Sequence, residues 1–204
     1  SDGTLTDSAS VTVSVNAVND APVLASVSDV SFDEDESDSI TLSASDVDGD
    51  SLTYSITEGT DITATLDGSS VSFSAPENFN GSENFTVAVT DGTLSDSQII
   101  TVTVNAVNDA PVATTGLSGT GDEDQSISVL LSGSDVDGDV LTYTITSSAT
   151  NGSVEISGSN ATYTPDANFN GSDSFTFSVS DGTLTDSASV TVSVNAVNDA
   201  PVLA

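Results

Sequence analysis

The chain of 204 residues contains no lysine, arginine, histidine, cysteine, methionine or tryptophan. Its 32 acidic residues therefore leave a formal net charge of −32 at pH 7. Each absence excludes a class of chemistry. Without cationic side chains the protein cannot replace the counterions of phosphates, which excludes nucleic acid as a partner. Attraction to anionic bilayers fails for the same reason. No His, Cys or Lys exists to act as nucleophile, base or metal ligand. Zinc and copper favour nitrogen or sulfur ligands, and the chain has none to offer. Disulfides are impossible, so stability rests on burial, backbone pairing or a bound ion. No apolar run approaches the ~18 residues of a membrane-spanning helix, so membrane insertion is not expected. The sequence begins without Met or a signal peptide and reads as a window on a longer protein.

Apolar residues make up 36% of the chain, below the usual ~45–50%. High charge with few aromatics ordinarily indicates disorder. Here, however, the apolar residues are largely β-branched and regularly placed, which predicts an all-β protein whose charge is compensated from outside the chain.

Internal repetition sets the architecture. NDAPV begins at Asn19, Asn108 and Asn198; DVDGD at Asp46 and Asp135; FNGS at Phe79 and Phe169; DGTL at Asp2, Asp91 and Asp181. The offsets are 89 or 90 residues throughout. That period suits one β-sandwich domain of ~100 residues. Two whole repeats are expected at 20–108 and 109–198, with 1–19 the last strand of a preceding repeat and 199–204 the start of a following one. Residues 1–25 are identical to residues 180–204, a shift of 179. The duplicated unit is thus a pair of repeats, and a parent array continuing in such steps is expected.

Within each repeat the apolar period is two, the mark of half-buried strands. Leu52, Tyr54 and Ile56 alternate with polar residues, as do Phe85, Val87 and Val89, and Ile100, Val102 and Val104. The second copy does the same with Leu141, Tyr143 and Ile145, with Phe175, Phe177 and Val179, and with Val190, Val192 and Val194. Asp67-Gly68, Asn80-Gly81, Asp91-Gly92 and Asn151-Gly152 mark breaks between runs. About seven short strands per repeat predict tandem Ig-like Greek-key sandwiches. Phe79 and Phe169 are read as core plugs.

The carboxylates are clustered, not spread. Asp33–Glu36, Asp46/Asp48/Asp50 and Asp91 recur in the second repeat as Asp122–Asp124, Asp135/Asp137/Asp139 and Asp181. Two carboxylates ~4 Å apart repel by ~1 kcal/mol in water and several-fold more near a protein surface. A hard divalent cation relieves this. Ca²⁺ accepts ~6–8 oxygen ligands, whereas Mg²⁺ prefers its waters and a strict octahedron, so calcium is the expected ion. An EF-hand is excluded, because that loop needs Gly at its sixth position and Glu at its twelfth. From Asp46 these are Ser51 and Thr57; from Asp135 they are Val140 and Thr146.

LSASDVDGDSLTYSIT and LSGSDVDGDVLTYTIT resemble the DxD region of cadherin repeats. VTDGTLSDSQIITVTVNAVNDAPV resembles a cadherin repeat ending followed by its linker. FNGSENFTVAVTDG and FNGSDSFTFSVSDG are similar to the bacterial cadherin-like tandem repeats of giant surface adhesins. The resemblance implies Ca²⁺ clamped at repeat junctions. Carried over by residue, the first junction uses Asn19, Asp20, Asp46, Asp48 and Asp91. The second uses Glu34 or a neighbour, Asn108, Asp109, Asp135, Asp137 and Asp181. Within Asp122–Asp124, Glu123 serves the next junction onward. Animal cadherins carry Asp where this chain has Ala17 and Ala106, and their linker Pro lies one residue later than Pro22 and Pro111. Fewer or different ligands are therefore expected, and Asp50 and Asp139 either ligate or cap their turn.

The plainer readings are Asp-Gly turns for DVDGD and DGTL, a solvated strand edge for the acidic runs, and a stiff Pro linker for NDAP. Glycoside-cleaving carboxylate pairs are not expected, since the clusters recur without a pocket-forming insertion. The expected function is that of calcium-rigidified extender repeats of an extracellular or cell-surface adhesin, without catalysis. The partners are calcium, neighbouring repeats of the same chain and, through homotypic contact, other copies. The alternative is a strand-complemented filament or sheath, in which Val11, Val13 and Val15 of the leading segment add to another chain's sheet. A carbohydrate-binding module is the weaker alternative, because no tryptophan platform exists.

Overall fold

The computed structural model describes residues 3–4 and 6–200. Residues 1, 2 and 5 of the expected leading strand, and residues 201–204 of the expected following repeat, lie outside the described residues. The chain divides into two compact units, Ser1–Val107 and Asn108–Ala204. Among the described residues every regular element is a strand.

In the first unit the strands are β1 (Val23–Leu24), β2 (Val30–Asp33), β3 (Ser37–Thr41), β4 (Ala44–Ser45), β5 (Thr53–Ile56), β6 (Thr63–Asp67), β7 (Ser70–Ser74), β8 (Gly81–Thr90) and β9 (Ser95–Asn105). One sheet has the order β2-β9-β8-β5, the other β3-β7-β6, and β1 pairs with β4. The pairing of β2 with β9 is parallel, and the others are antiparallel. Seven strands of four or more residues, plus a two-residue pair, match the expected Ig-like count.

The period-two pattern is realised as burial. Along β8, Phe85, Val87 and Val89 are buried while Thr86, Ala88 and Thr90 are only partly covered. They meet Ile100, Val102 and Val104 of β9 and Val71 and Phe73 of β7, so the two sheets enclose one core. Each large side chain so buried stabilises the fold by roughly 1.5–3 kcal/mol. Phe79 packs against this core, as Phe169 does in the second unit.

The second unit repeats the plan with β10 (Val112–Ala113), β11 (Ser118–Asp122), β12 (Ile127–Leu130), β13 (Gly133–Ser134), β14 (Thr142–Ser147), β15 (Gly152–Ser157), β16 (Asn160–Pro165), β17 (Gly171–Ser180) and β18 (Thr185–Asn195). Its sheets are β11-β18-β17-β14 and β12-β16-β15, with β10 paired to β13. Again the first strand of any length, β11, runs parallel to the last, β18.

The two interiors are not the same. In β2 the inward residues Val30 and Phe32 are 4% and 7% exposed. By register their counterparts in β11 are Gly119 and Gly121. The missing volume comes from the facing sheet, where Ile127, 5% exposed, occupies the position that is Asp38 in the first unit. A Cβ on Gly121 would lie 2.6 Å from Ile127 Cγ1, and one on Gly119 2.8 Å from Ile127 Cγ2. Ile127 thus reaches across the sandwich over both glycines, joined at Gly119 by Val129, whose Cγ2 would lie 2.7 Å from an added Cβ.

In urea unfolding, Gly121→Val destabilises the second repeat by ~1–3 kcal/mol through overpacking. Ile127→Ala costs ~2–5 kcal/mol on its own. The double variant loses less than the sum, with a coupling on the order of 1 kcal/mol; strictly additive losses would mean that these groups do not compete for one space.

Candidate metal centres

DVDGD folds as a carboxylate-centred turn. Asp46 Oδ1 accepts backbone N–H bonds from Asp48 (2.9 Å), Gly49 (3.0 Å) and Asp50 (3.3 Å). Gly49 takes φ +80°, which only glycine adopts without strain. The turn gathers one carboxylate oxygen each from Asp46, Asp48 and Asp50 to within 4.8 Å of one another, and Asp135, Asp137 and Asp139 do likewise. At such spacing each pair repels by about 1 kcal/mol in water and about 4 kcal/mol near a protein surface.

The remaining residues of the expected first set come to the same place. Asp20 N donates to Asp48 Oδ2 at 2.8 Å, and Asn19 Nδ2 donates to Asp91 Oδ2 at 2.8 Å. Asp91 Oδ1 accepts the N–H groups of Thr93 (2.6 Å) and Leu94 (2.7 Å), which closes the turn before β9. The second unit reproduces each contact: Asp109 N to Asp137 Oδ2 at 2.8 Å, Asn108 Nδ2 to Asp181 Oδ2 at 2.8 Å, and Leu184 N to Asp181 Oδ1 at 2.7 Å. The Asn19 amide, followed by the Leu94 and Thr93 N–H groups, holds the Asp91 carboxyl below its ordinary value; Asn108, Thr183 and Leu184 do so for Asp181.

Two features fit a cation of oxygen preference. Asp46 Oδ2 and Asp135 Oδ2 are fully enclosed yet accept no hydrogen bond. A carboxylate oxygen withdrawn from solvent without a donor is costly unless an ion meets it. The surrounding donors are carboxylate, amide and backbone oxygens, the set that suits Ca²⁺. Asp50 and Asp139, which the sequence leaves open between ligand and turn cap, belong to the clusters by position.

Glu34 lies elsewhere in its repeat. It follows β2, 5% exposed, and its Oε1 accepts Val107 N at 2.5 Å while Oε2 is enclosed and unpaired. Asp91 precedes β9 and Asn105 ends it, so Glu34 and the Asp46 cluster are separated by that strand, roughly 36 Å long at ~3.3 Å per residue. Glu123 repeats the contact to Val197 N at 2.6 Å, and its Oε2 accepts Asn170 Nδ2 at 3.4 Å. Other members of these acidic runs accept hydrogen bonds within their own repeat. Asp33 accepts the Asn105 amide, and Asp35, at φ +62°, accepts Asn78 N.

Sequence reasoning missed one pair of acidic residues, Glu83 and Asp173. Both stand in the inward phase of their strands, two residues before Phe85 and Phe175, and that phase was the available signal. Asp173, 7% exposed, accepts N–H groups of Thr150 (3.1 Å), Asn151 (2.7 Å) and Ser174 (2.8 Å) and the Tyr163 hydroxyl (3.1 Å). Desolvation pushes its pKa up, but these four donors outweigh it and hold it below 3.8. Burial, then the hydrogen bond and charge of Asp173, pushes the Tyr163 hydroxyl up to about 12. Glu83 likewise accepts Asp61 N and Thr60 N at 2.8 and 2.9 Å. With their lone pairs engaged by the loops they cap, these carboxylates are anchors and not ligands.

A family model described as bacterial Ig domain matches residues 19–104 and 108–193. Among solved structures the chain is similar to human protocadherin-24 EC1-2, with 17% identity, TM-score 0.53, and coverage of 89% of this chain and 100% of that one. It is also similar to Drosophila N-cadherin EC1-4, with 16% identity, TM-score 0.56, and coverage of 87% and 50%. These likenesses carry the fold. A family 107 endo-fucoidan hydrolase aligns at 27% identity over 87% of this chain, but at TM-score 0.38, and the chain spans only 29% of its length. No curated protein matches the sequence.

The two kinds of carboxylate separate by experiment. The Asp173 contribution is complete above the unfolded value of 3.8 and is lost as pH falls through its lower folded value. Asp173→Asn therefore destabilises the second repeat at neutral pH by about 1–3 kcal/mol, and the gap to the parent chain narrows in strong acid. The difference in urea midpoints across pH measures this, since the overall charge repulsion is common to both proteins. A gap that is independent of pH would refute the anchor.

Proposed function

The chain belongs to the bacterial Ig domain family in two tandem copies, and from that premise we propose that it is a calcium-stiffened spacer of an extracellular or cell-surface adhesin. The carrying observation is that each repeat folds DVDGD so that three carboxylates converge beside its own incoming Asn-Asp pair, with an enclosed oxygen of Asp46 or Asp135 left uncapped. In this reading Asp46, Asp48 and Asp50 hold one ion in the first repeat, with Asn19, Asp20 and Asp91 fixing or completing the set. Asp135, Asp137 and Asp139 hold another, with Asn108, Asp109 and Asp181. Glu34 and Glu123 are the acidic residues available to outgoing linker segments. The ion supplies positive charge that the chain itself lacks. No residue is assigned a catalytic role.

A strand-complemented assembly is the second reading. Residues 4–16 have the sequence of 183–195, and Val11, Val13 and Val15 are 85%, 78% and 90% exposed, whereas Val190, Val192 and Val194 of β18 are buried. Sedimentation velocity over a concentration series distinguishes a monomer from growing oligomers.

Calorimetric titration of the chelated chain is expected to show at least one Ca²⁺ per repeat. At a hundredfold excess over Kd each site adds ~2.7 kcal/mol to folding, or roughly 10–20 °C in Tm for a domain of this size. Asp46→Asn weakens the first site by about tenfold or more, equivalent to ~1.4 kcal/mol, without altering the second. Small-angle scattering is expected to report a longer, stiffer particle with Ca²⁺ than with chelator. Unchanged Tm and scattering on Ca²⁺ addition would overturn the reading.

A further inference from the structure

The chain contains Asn-Gly steps at Asn80-Gly81, Asn151-Gly152 and Asn170-Gly171. Such a step is chemically weak. Glycine has no side chain to shield its N–H, which can attack the side-chain carbonyl of the preceding asparagine. Attack requires that the glycine N–H be free of a hydrogen bond and that the asparagine side chain be free to turn.

The ladder locks two of these steps. Thr86 O accepts Thr57 N on the β5 side of β8. Orientation alternates along a strand, so Gly81, five residues earlier, turns its N–H toward Val104 of β9. Gly171 holds the same register against Val194 of β18. Asn170 Nδ2 is also held on Glu123 Oε2 at 3.4 Å.

Asn151-Gly152 is built the other way. Asn151 O accepts Asp166 N at 2.9 Å, so the next N–H, that of Gly152, turns away from β16. β15 is the last strand of its sheet, and this N–H points off the sheet's edge. Among the described residues nothing bonds the Asn151 side-chain amide. The carbonyl of the same peptide unit is held twice, because Asn151 O also accepts the Tyr163 hydroxyl at 3.0 Å. When Gly152 N loses its proton, amide resonance puts negative charge on that oxygen. Two donors already aimed at it stabilise the charge. The Tyr163 hydroxyl, pushed up to about 12, keeps its proton through the mildly alkaline range. Packing also enforces the glycine: a Cβ at Gly152 would lie 2.8 Å from Tyr163 Cε2.

We propose that Asn151-Gly152 is a self-modification site, where the Gly152 amide closes on the Asn151 side chain and turns it into aspartate or isoaspartate. Solvent base takes the Gly152 amide proton. The nitrogen bonds to Asn151 Cγ, the bond from Cγ to the side-chain nitrogen breaks, and ammonia leaves. Water then opens the cyclic imide at either carbonyl. One water enters, one ammonia departs and nothing is oxidised. Opening at Cγ gives an aspartate, which the first repeat already carries there by register as Asp61. Asp61 N donates to Glu83 Oε1 at 2.8 Å, as Asn151 N does to Asp173 Oδ2 at 2.7 Å. Opening at the backbone carbonyl instead routes the chain through the side chain. That inserts a methylene between the Asp173 cap and β15. One product is therefore silent, and the other loosens the cap of the second repeat.

The test ages the whole folded chain in chelator at mildly alkaline pH, which keeps it apart from the calcium reading. Peptide mass spectrometry follows the exchange of NH₂ for OH at each asparagine. Asn151 is expected to convert faster than Asn80 and Asn170 by about tenfold or more, since local opening gates the other two. In urea the three rates converge, because each becomes the same dipeptide in a free chain. Tyr163→Phe installs the residue that the first repeat carries there, Phe73. It is expected to slow Asn151 in the folded chain by about threefold or more and to leave the urea rate unchanged. Asn151→Asp keeps the urea midpoint of the parent, while the isoaspartate fraction unfolds at lower urea. Conversion of Asn151 in the folded chain no faster than at the other two sites would overturn the proposal, and so would a folded Tyr163→Phe chain that converts as fast as the parent. The comparison of sites uses the parent chain alone, so it decides the matter even if a variant folds poorly.

Discussion

With no cationic side chain in the sequence, the carboxylates that this fold engages must find other partners, and the architecture follows from how that is done. The partners are backbone N–H groups, side-chain amides and, at Asp173, the Tyr163 hydroxyl. Asp96 accepts Leu24 N and Asp186 accepts Ala113 N, each at 2.9 Å and across more than seventy residues of sequence. Asp91 and Asp181 hold the turns before the last strands, and Glu83 and Asp173 hold loops over the cores. Bonds to a charged acceptor are worth roughly 1.5–3 kcal/mol, more than neutral ones. Acidic residues thus act as staples between remote segments, a role that disulfides or salt bridges serve in other small domains.

Comparison of the two repeats shows which features are interchangeable. The core is. Val30 and Phe32 become Gly119 and Gly121 once Ile127 replaces Asp38, and Phe73 becomes Tyr163, whose hydroxyl then reaches Asp173. Cores accept such exchange when total volume is conserved. The contacts among Asn19, Asp20, Asp48 and Asp91 recur, by contrast, at matching positions and near-identical distances in Asn108, Asp109, Asp137 and Asp181. The geometry kept between the copies is that of the incoming linker and its carboxylates.

The strands and the repeat period were legible because each leaves a local trace: alternation, an exact string, a turn residue; the grouping of the Asn-Asp pair with DVDGD and Asp91 came instead from the resemblance to cadherin repeats. What was not legible depends on contacts between distant segments. Parallel pairing of β2 with β9 cannot be read from either strand's alternation, which is the same for both directions. The glycines of β11 look like a weak strand until Ile127 is seen opposite. The two-residue strands β1 and β4 are too short for any periodicity. Glu83 and Asp173 were legible in principle, since each is an acid in the phase of a buried phenylalanine, but their strands read as apolar runs with polar ends.

Charge at two length scales calls for two remedies. At physiological ionic strength the Debye length is ~8 Å. Carboxylate groups on different faces of a repeat lie beyond that distance, and dissolved salt suffices to quiet them. The three oxygens of each DVDGD turn lie within 4.8 Å, inside the screening length, where mobile ions act weakly and one oxygen is already closed to solvent. The −32 net charge alone would therefore make this protein merely salt-sensitive. It is the folding of DVDGD around Asp46 and Asp135, against the incoming Asn-Asp pair, that gathers carboxylates more closely than salt can screen, and it does so where each repeat begins.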